Sequence, residues 1–396
     1  MKEGLSNRLY FDVTSKSLNK KNEELCGDKV EIVRTKDSDI LVLADGLGSG
    51  VKANILSTLT SKIIATMIQE GAPLEDTVET ISSTLPLCSV RHLAYSTFSI
   101  LEISHDGKAH LVEFDNPACF CLRKGELIRP SFIKREIAGK EIHESFFQVE
   151  LGDYYVLVSD GVIYAGVGET LNFGWTWDHV ADFLRREAAK RPSAHRLAHQ
   201  LSAACNDLYM GKPGDDTTVA VAKVIPASHV HLLASPPQDK KDDERMVQEF
   251  MRGSDIRIVC GGTSGNMVAR VLDKPLRASL HYSDPSLPPT AEIEGIDLVT
   301  EGVLTLSKTL EILRQCVTNT GEVENLELVD ADNGAAQIAK IVLEKCTHLN
   351  LYIGQAINPA HQNPNLPFDL SIKARLLEEL ADLARKLGRT VECYYY

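Results

Sequence analysis

The chain has 396 residues, 43% of them hydrophobic and 24% charged, a composition that suits a globular protein with room for two domains. Asp and Glu outnumber Lys and Arg 55 to 42, and the net charge of −13 argues against nucleic acid or an anionic membrane as a main partner, because no basic excess offsets phosphate repulsion. Nine cysteines include no repeated C-x-x-C, and Cys119 and Cys121, two apart on a strand, read as buried thiols rather than a metal pair. The opening MKEGLSNRLYFDV lacks the apolar core of a signal peptide and no run approaches membrane-spanning length, so a cytoplasmic protein is expected.

In chain order, KVEIVRT and DILVLAD read as a β-hairpin around the turn KDSD. Residues 51–70 place Ile55, Leu59, Ile63, Ile64 and Met67 at helical spacing, and Gly71 closes that helix. A short helix over PLEDTVETISSTL leads into a strand-rich meander: STFSILEIS, KAHLVEFD, ACFCLRKG and GDYYVLVSDG. Helices over about 177–190 and 193–208 follow, and TTVAVAKVI closes the first half as a strand. His195 and His199 stand four apart but lack an intervening Glu, and read as a solvated helix face. Trp175 and Trp177 read as a helix entry packed on the core.

A boundary is expected near residue 226, giving domains 1–226 and 227–396. HVHLLAS is a strand, and the charged stretch around DKKDDER a solvated helix start. DIRIVC runs through GGTSGN into MVARVL, IDLVTEG into VLTLSKTLEILRQC, and AAQIAKIVLEKC into LNLYIG. A final helix over about 371–388 precedes TVECYYY. This alternation predicts an α/β domain with a largely parallel sheet. The turn Gly261, Gly262, Thr263, Ser264, Gly265 and Asn266 is a candidate anion or ligand site, equally readable as a tight turn that needs glycine. Thr263, Ser264, Glu301 and Asn333 are candidates to line one cleft.

The chemistry concentrates in four strand ends of the first half. The turn ADGLGSG has glycines at 46, 48 and 50, short of G-x-G-x-x-G, and Val51 stands between the last glycine and Lys52, which excludes a phosphate loop. Asp45 would repel a phosphate unless a cation stood between them. The arrangement recurs as Asp160–Gly161 after YYVLVS, as Asp215–Asp216 before TTVAVAKV, and as Gly27–Asp28 before KVEIV. Carboxylates at strand ends suit hard divalent ions, and the adjacent glycines would let backbone and solvent approach them.

The set CGD…ADGLGSG…SDG…GDDTT, in this order and spacing, resembles the metal-dependent protein phosphatase family (PPM, protein phosphatase 2C type), closest to its SpoIIE-like bacterial branch, over about residues 8–224. The resemblance implies an αββα sandwich of two antiparallel sheets flanked by helices, and two Mn²⁺ or Mg²⁺ ions. Asp45 would bridge both ions, with Gly46 through its carbonyl and Asp28 on one. Asp160 and Asp215 would hold the other, with Asp216 the weaker candidate of its pair. Through these ions Asp45 and Asp160 would activate a water for attack on phosphorus. Leu47 stands where eukaryotic relatives carry a histidine, and Arg8 is a poor counterpart of their phosphate-gripping arginine. Residues 51–85 correspond to the branch's regulatory switch. The implied activity is hydrolysis of phosphoserine or phosphothreonine on a bacterial regulatory protein, an anti-sigma-factor antagonist being one candidate. The second domain would bind a small ligand or partner and regulate. Two rivals stand beside this reading: a non-catalytic phosphoprotein-binding scaffold, and a C-terminal sensor with an accessory phosphatase domain.

Overall fold

The computed structural model describes residues 9–84, 96–279, 284, 286–317, 326–356 and 372–396. The chain divides into two compact units, one ending at Pro226 and the next beginning at Ala227.

The first unit opens with β1 (Leu9–Leu18), the hairpin of β2 (Asp28–Arg34) and β3 (Ser38–Gly46), and helices α1 (Gly50–Gln69) and α2 (Leu74–Thr84). A meander follows through β4 (Ser96–Ser104), β5 (Lys108–Phe114), β6 (Phe120–Arg123), β7 (Glu126–Ile128), β8 (Phe132–Ile137), β9 (Lys140–Gln148) and β10 (Tyr154–Val158). The short α3 (Asp160–Ile163), then α4 (Trp177–Ala188), α5 (Ala194–Leu208) and β11 (Thr217–Pro226) complete it. Two antiparallel sheets result, ordered β1-β11-β10-β6-β7 and β2-β3-β4-β5-β9-β8.

Period-two alternation builds the layers. Leu41 and Leu43 of β3 enter the core between the sheets, against Phe11, Tyr155, Leu157 and Ala220 of the other sheet. Their neighbours Ile40, Val42 and Ala44 face outward, onto Leu56 and Ile64 of α1 and Val78 and Ile81 of α2. In β10, Tyr154, Val156 and Val158 likewise turn out against Val180 and Leu184 of α4 and Leu197 and Leu201 of α5. The unit is the expected αββα sandwich.

Two local readings change. The buried face of α1 is made of small residues, Ala53, Ser57, Thr60, Ser61 and Ala65 with Leu56 and Ile64, while Ile55 and Leu59 are exposed. Small residues let this helix settle closely on β3. His195 is fully buried, not solvated: the Ala194 amide donates to Asp12 Oδ2 at 3.3 Å and draws the start of α5 onto β1. His199, one turn later, is partly buried. The tryptophans pack as expected. Trp177 stacks on Phe120 at 4.6 Å and donates to the Ala118 carbonyl, and Trp175 meets Phe183 edge-on. Cys119 and Cys121 are buried thiols 3.9 Å apart.

The second unit contains β12 (His229–Ala234), a 3₁₀ turn (Lys240–Asp242), α6 (Asp243–Phe250), β13 (Ile256–Cys260), α7 (Gly262–Leu272), β14 (Arg277–Ala278), β15 (Ala291–Glu292) and β16 (Leu298–Thr300). It continues with α8 (Val303–Val317), α9 (Glu327–Asp330), α10 (Gly334–Glu344), β17 (His348–Ile353), α11 (Ile372–Lys386) and β18 (Thr390–Tyr395). The sheet runs β14-β15-β16-β13-β12-β17-β18, parallel from β16 to β18 with an antiparallel edge. Leu232, Ile258 and Leu351 pack on one face against Leu310 of α8, Ile338 of α10 and Leu380 of α11. Leu233, Val259 and Val299 pack on the other against Phe250 of α6 and Val268 of α7. Helices thus cover both faces of a mostly parallel sheet, as its buried strands require. Lys240 and Lys241 are solvated as expected, but Asp243 is buried and paired with Arg270. Among the described residues no helix is long and apolar enough to cross a membrane.

Candidate functional site

Sheet register gathers the acidic residues at one end of the sandwich. Asp28 opens β2 directly opposite Asp45 on β3. Asp160 begins α3 two residues after β10, and Asp215 and Asp216 immediately precede β11. β2 and β3 belong to one sheet and β10 and β11 to the other, so the aspartates meet only because the sheets stack.

The electrostatics are those of carboxylates held against their own repulsion. Asp28 and Asp216 are each 4% exposed, and among the described residues neither oxygen of Asp28, nor Oδ2 of Asp216, has a hydrogen-bond partner. Burial is the largest influence on Asp28 and lifts its pKa well above the carboxylate range, with Asp216 adding repulsion and nearby Ser159 and Thr218 opposing it. Asp45 is lifted further, first by burial and then by the charges of Asp28 and Asp160. Asp160 and Asp216 are raised as well, both chiefly by burial. Leaving such oxygens buried and unpartnered is costly, and a cation relieves the cost.

One residue the motifs did not indicate answers part of this charge. The Lys20 amide donates to Asp216 Oδ1 at 2.9 Å, and Lys20 Nζ pairs with Asp215 Oδ1 at 3.3 Å. Some 195 residues separate these partners, so no spacing signal could have linked them. Among the described residues this is the ion pair that the five carboxylates make. Leu47 brings no titratable atom, and Arg8 lies outside the described residues.

The donor set fits a small hard divalent cation: buried carboxylate oxygens without partners, and no thiol or imidazole competing. Cys26 is nearby, but burial raises its thiol pKa and keeps it neutral. Among the described residues no three His, Cys, Asp or Glu side chains close fully around one ion. An ion of the Mg²⁺ type needs only one or two carboxylates, because it keeps several of its waters.

The glycines act differently from the access expected of them. A Cβ on Gly46 would stand 2.2 Å from the Ala53 carbonyl oxygen of α1, and one on Gly161 2.2 Å from the Asp216 carbonyl oxygen. A Cβ on Gly27 would stand 2.7 Å from Asp216 Oδ2. These glycines admit neighbouring protein: they let α1 and the β11 entry close on the acidic residues. The turn itself relies on Gly48 and Gly50, whose φ values are +104° and +65°.

In the second unit, Gly261, Gly262, Thr263, Ser264, Gly265 and Asn266 form the β13–α7 junction, with Gly261 as N-cap at φ +113°. Glu301 and Asn333, proposed with Thr263 and Ser264 as cleft residues, are engaged as caps. The Glu301 carboxylate accepts from Leu304 N at 2.9 Å, and Asn333 Oδ1 from Ala336 N at 2.9 Å.

Residues 36–225 match the family model described as Stage II sporulation protein E (SpoIIE). Asp28 and Lys20 precede the matched stretch. No functionally curated protein matches the chain. Among solved structures, the PP2C phosphatase domain with a fragment of the regulatory domain of SpoIIE from Bacillus subtilis gives a TM-score of 0.46 at 19% identity, over 55% of this chain and 64% of that one. The chain therefore spans less than two thirds of that relative. The RsbU and RsbW domains of a Mycobacterium tuberculosis protein give 0.46 at 15% identity, over 62% and 69%. The SiaA-PP2C domain of Pseudomonas aeruginosa gives 0.42 at 18% identity, over 56% and 87%. The acidic centre from Asp45 to Asp216 thus lies within the stretch that matches the SpoIIE family model.

Proposed function

We propose that residues 1–226 are a metal-dependent phosphatase of phosphoserine or phosphothreonine on a regulatory protein, and that residues 227–396 are a ligand-binding unit that sets its activity. The observation that carries this reading is the convergence of Asp28, Asp45, Asp160, Asp215 and Asp216, with the oxygens of Asp28 buried and unpartnered. Asp45 and Asp28, with the Gly46 carbonyl, would hold one Mn²⁺ or Mg²⁺ ion, and Asp160 with Asp215 a second; Asp216 lies on the Asp28 side. Bound there, such ions supply Lewis acidity toward a phosphoryl oxygen and lower the pKa of a water nucleophile.

The chain's own residues do the rest. Lys20, whose ammonium pairs with Asp215, would be the cationic group nearest the incoming phosphoryl group once that carboxylate is engaged elsewhere. Water attacks phosphorus and releases a proton to solvent, the bond to the serine or threonine oxygen breaks, and that oxygen takes a proton from solvent, since Leu47 has none to give. With so few cationic groups to grip phosphate, affinity must come from docking of the protein substrate. An anti-sigma-factor antagonist fits that requirement, and a cytoplasmic setting agrees with it. The test is phosphate release from phosphoserine, phosphothreonine and phosphotyrosine peptides with Mn²⁺. Release from the first two at least supports the reading. Tight peptide binding without release would favour the scaffold.

A further inference from the structure

The second unit carries an unexplained positive centre at the carboxyl end of its parallel sheet. Lys373, in the first turn of α11, lays its ammonium across the β13–α7 junction and donates to the Cys260 carbonyl at 2.8 Å. Two glycines make room for it. A Cβ on Gly261 would stand 2.4 Å from Nζ, and one on Gly302, at the start of α8, 3.0 Å. The starts of two helices, α7 and α8, therefore meet at one ammonium, and each adds a partial positive charge.

Little opposes this charge. Among the described residues Lys373 forms no ion pair, and the nearby Glu301 carboxylate is engaged by the amides of Val303, Leu304 and Thr305. Burial, before any other influence, pulls the Lys373 pKa below its ordinary value. Among the described residues one carbonyl engages one of the three ammonium donors.

A second group points to the same place. Ser264 is fully buried, and among the described residues its Oγ has no hydrogen-bond partner. In a helix that hydroxyl would commonly bond the carbonyl four residues back, here Cys260, which Lys373 occupies. Ser264 Oγ lies 3.4 Å from the same point over Gly261 that lies 2.4 Å from Lys373 Nζ. The first intrahelical bond of α7 runs from Gly265 N to Gly261 O, so the amides of Gly262, Thr263 and Ser264 precede it.

We propose that this junction binds the phosphoryl group of a small molecule, held by the α7 amides, Ser264 Oγ and Lys373 Nζ. Donors from several directions suit the oxygens of a tetrahedral phosphate better than the two of a planar carboxylate. The placement also suits the fold, since the carboxyl ends of parallel strands are where open α/β sheets collect ligands.

The test uses the full chain in EDTA, so that no cation draws phosphate to the first unit. Inorganic phosphate is titrated by calorimetry and thermal shift at constant ionic strength, with acetate and malonate in parallel. The expected result is saturable stabilisation by phosphate, weakened about tenfold or more in Lys373→Met, as loss of a hydrogen bond to a charged group implies, and unchanged in Asp45→Asn. Ser264→Ala removes a donor with little risk to folding and should weaken binding severalfold. Absence of binding to the wild type overturns the proposal, as does full retention in Ser264→Ala and Lys373→Met. Loss in Asp45→Asn would move the site to the first unit, and equal stabilisation by malonate would make it a carboxylate site.

Discussion

At the scale of single residues, Lys20 makes the most specific claim. Its ammonium pairs with Asp215, so it would compete with a cation for that carboxylate. Lys20→Ala should therefore tighten Mn²⁺ binding about two- to fivefold, the equivalent of an exposed ion pair, while raising KM for a phosphorylated substrate. A residue that only supported the fold would weaken both; calorimetry and steady-state kinetics separate the cases. The aspartates themselves were legible, because carboxylate beside glycine at strand ends recurs along the sequence. Lys20 and Lys373 were not, since each reaches its partners from a distant segment. His231 gives a pH prediction. It is buried, its Nδ1 donates to the Phe250 carbonyl at 2.7 Å, and burial, aided by nearby His229 and Arg257 against Asp255, holds its pKa below 6.5. The unfolded chain then binds the extra proton first, so this contribution is complete above about pH 6.5 and is lost as pH falls below it. His231→Asn keeps a donor without the titration, and should flatten stability against pH between 5 and 7, about the histidine range, in urea unfolding.

At the scale of elements, the approach of α1 to β3 decides whether Asp45 is correctly placed. A methyl group at Gly46 meets backbone of α1 at 2.2 Å, which no side-chain rotation relieves. Gly46→Ala should cost about 1–3 kcal/mol, as overpacking does, and lower metal affinity with it; thermal unfolding and Mn²⁺ titration read both. Elements with clean periodicity were legible, among them the hairpin of β2 and β3 and the helices α4 and α5. β1 was missed because Asp12, Thr14, Ser15 and Lys16 interrupt its apolar pattern, and its burial depends on pairing with β11, some 200 residues away in sequence. β8 was missed because five of its six residues are exposed or partly so, leaving no alternation to read. For α1 the helix was legible but its buried face was not. Close packing favoured small residues over the larger Ile55 and Leu59.

At the scale of the molecule, stacking the two sheets brings β2 and β3 of one beside the β10 and β11 ends of the other, and the acidic centre is a product of that stacking. The fold class was legible because both halves announce themselves by pattern, strands in a meander and then strands alternating with helices. The proposed ligand site of the second unit was only half legible, since its glycine turn is sequence-local and its lysine is not. The central claim is that Asp45 anchors a cation-dependent phosphatase. Hydrolysis of p-nitrophenyl phosphate by the wild type and by Asp45→Asn, with Mn²⁺ and with EDTA, tests it most directly. The account predicts Mn²⁺-dependent turnover that EDTA abolishes and that falls by about a hundredfold or more in Asp45→Asn, the scale for losing one preorganised electrostatic group. Turnover that persists in EDTA, or that Asp45→Asn leaves intact, would contradict it.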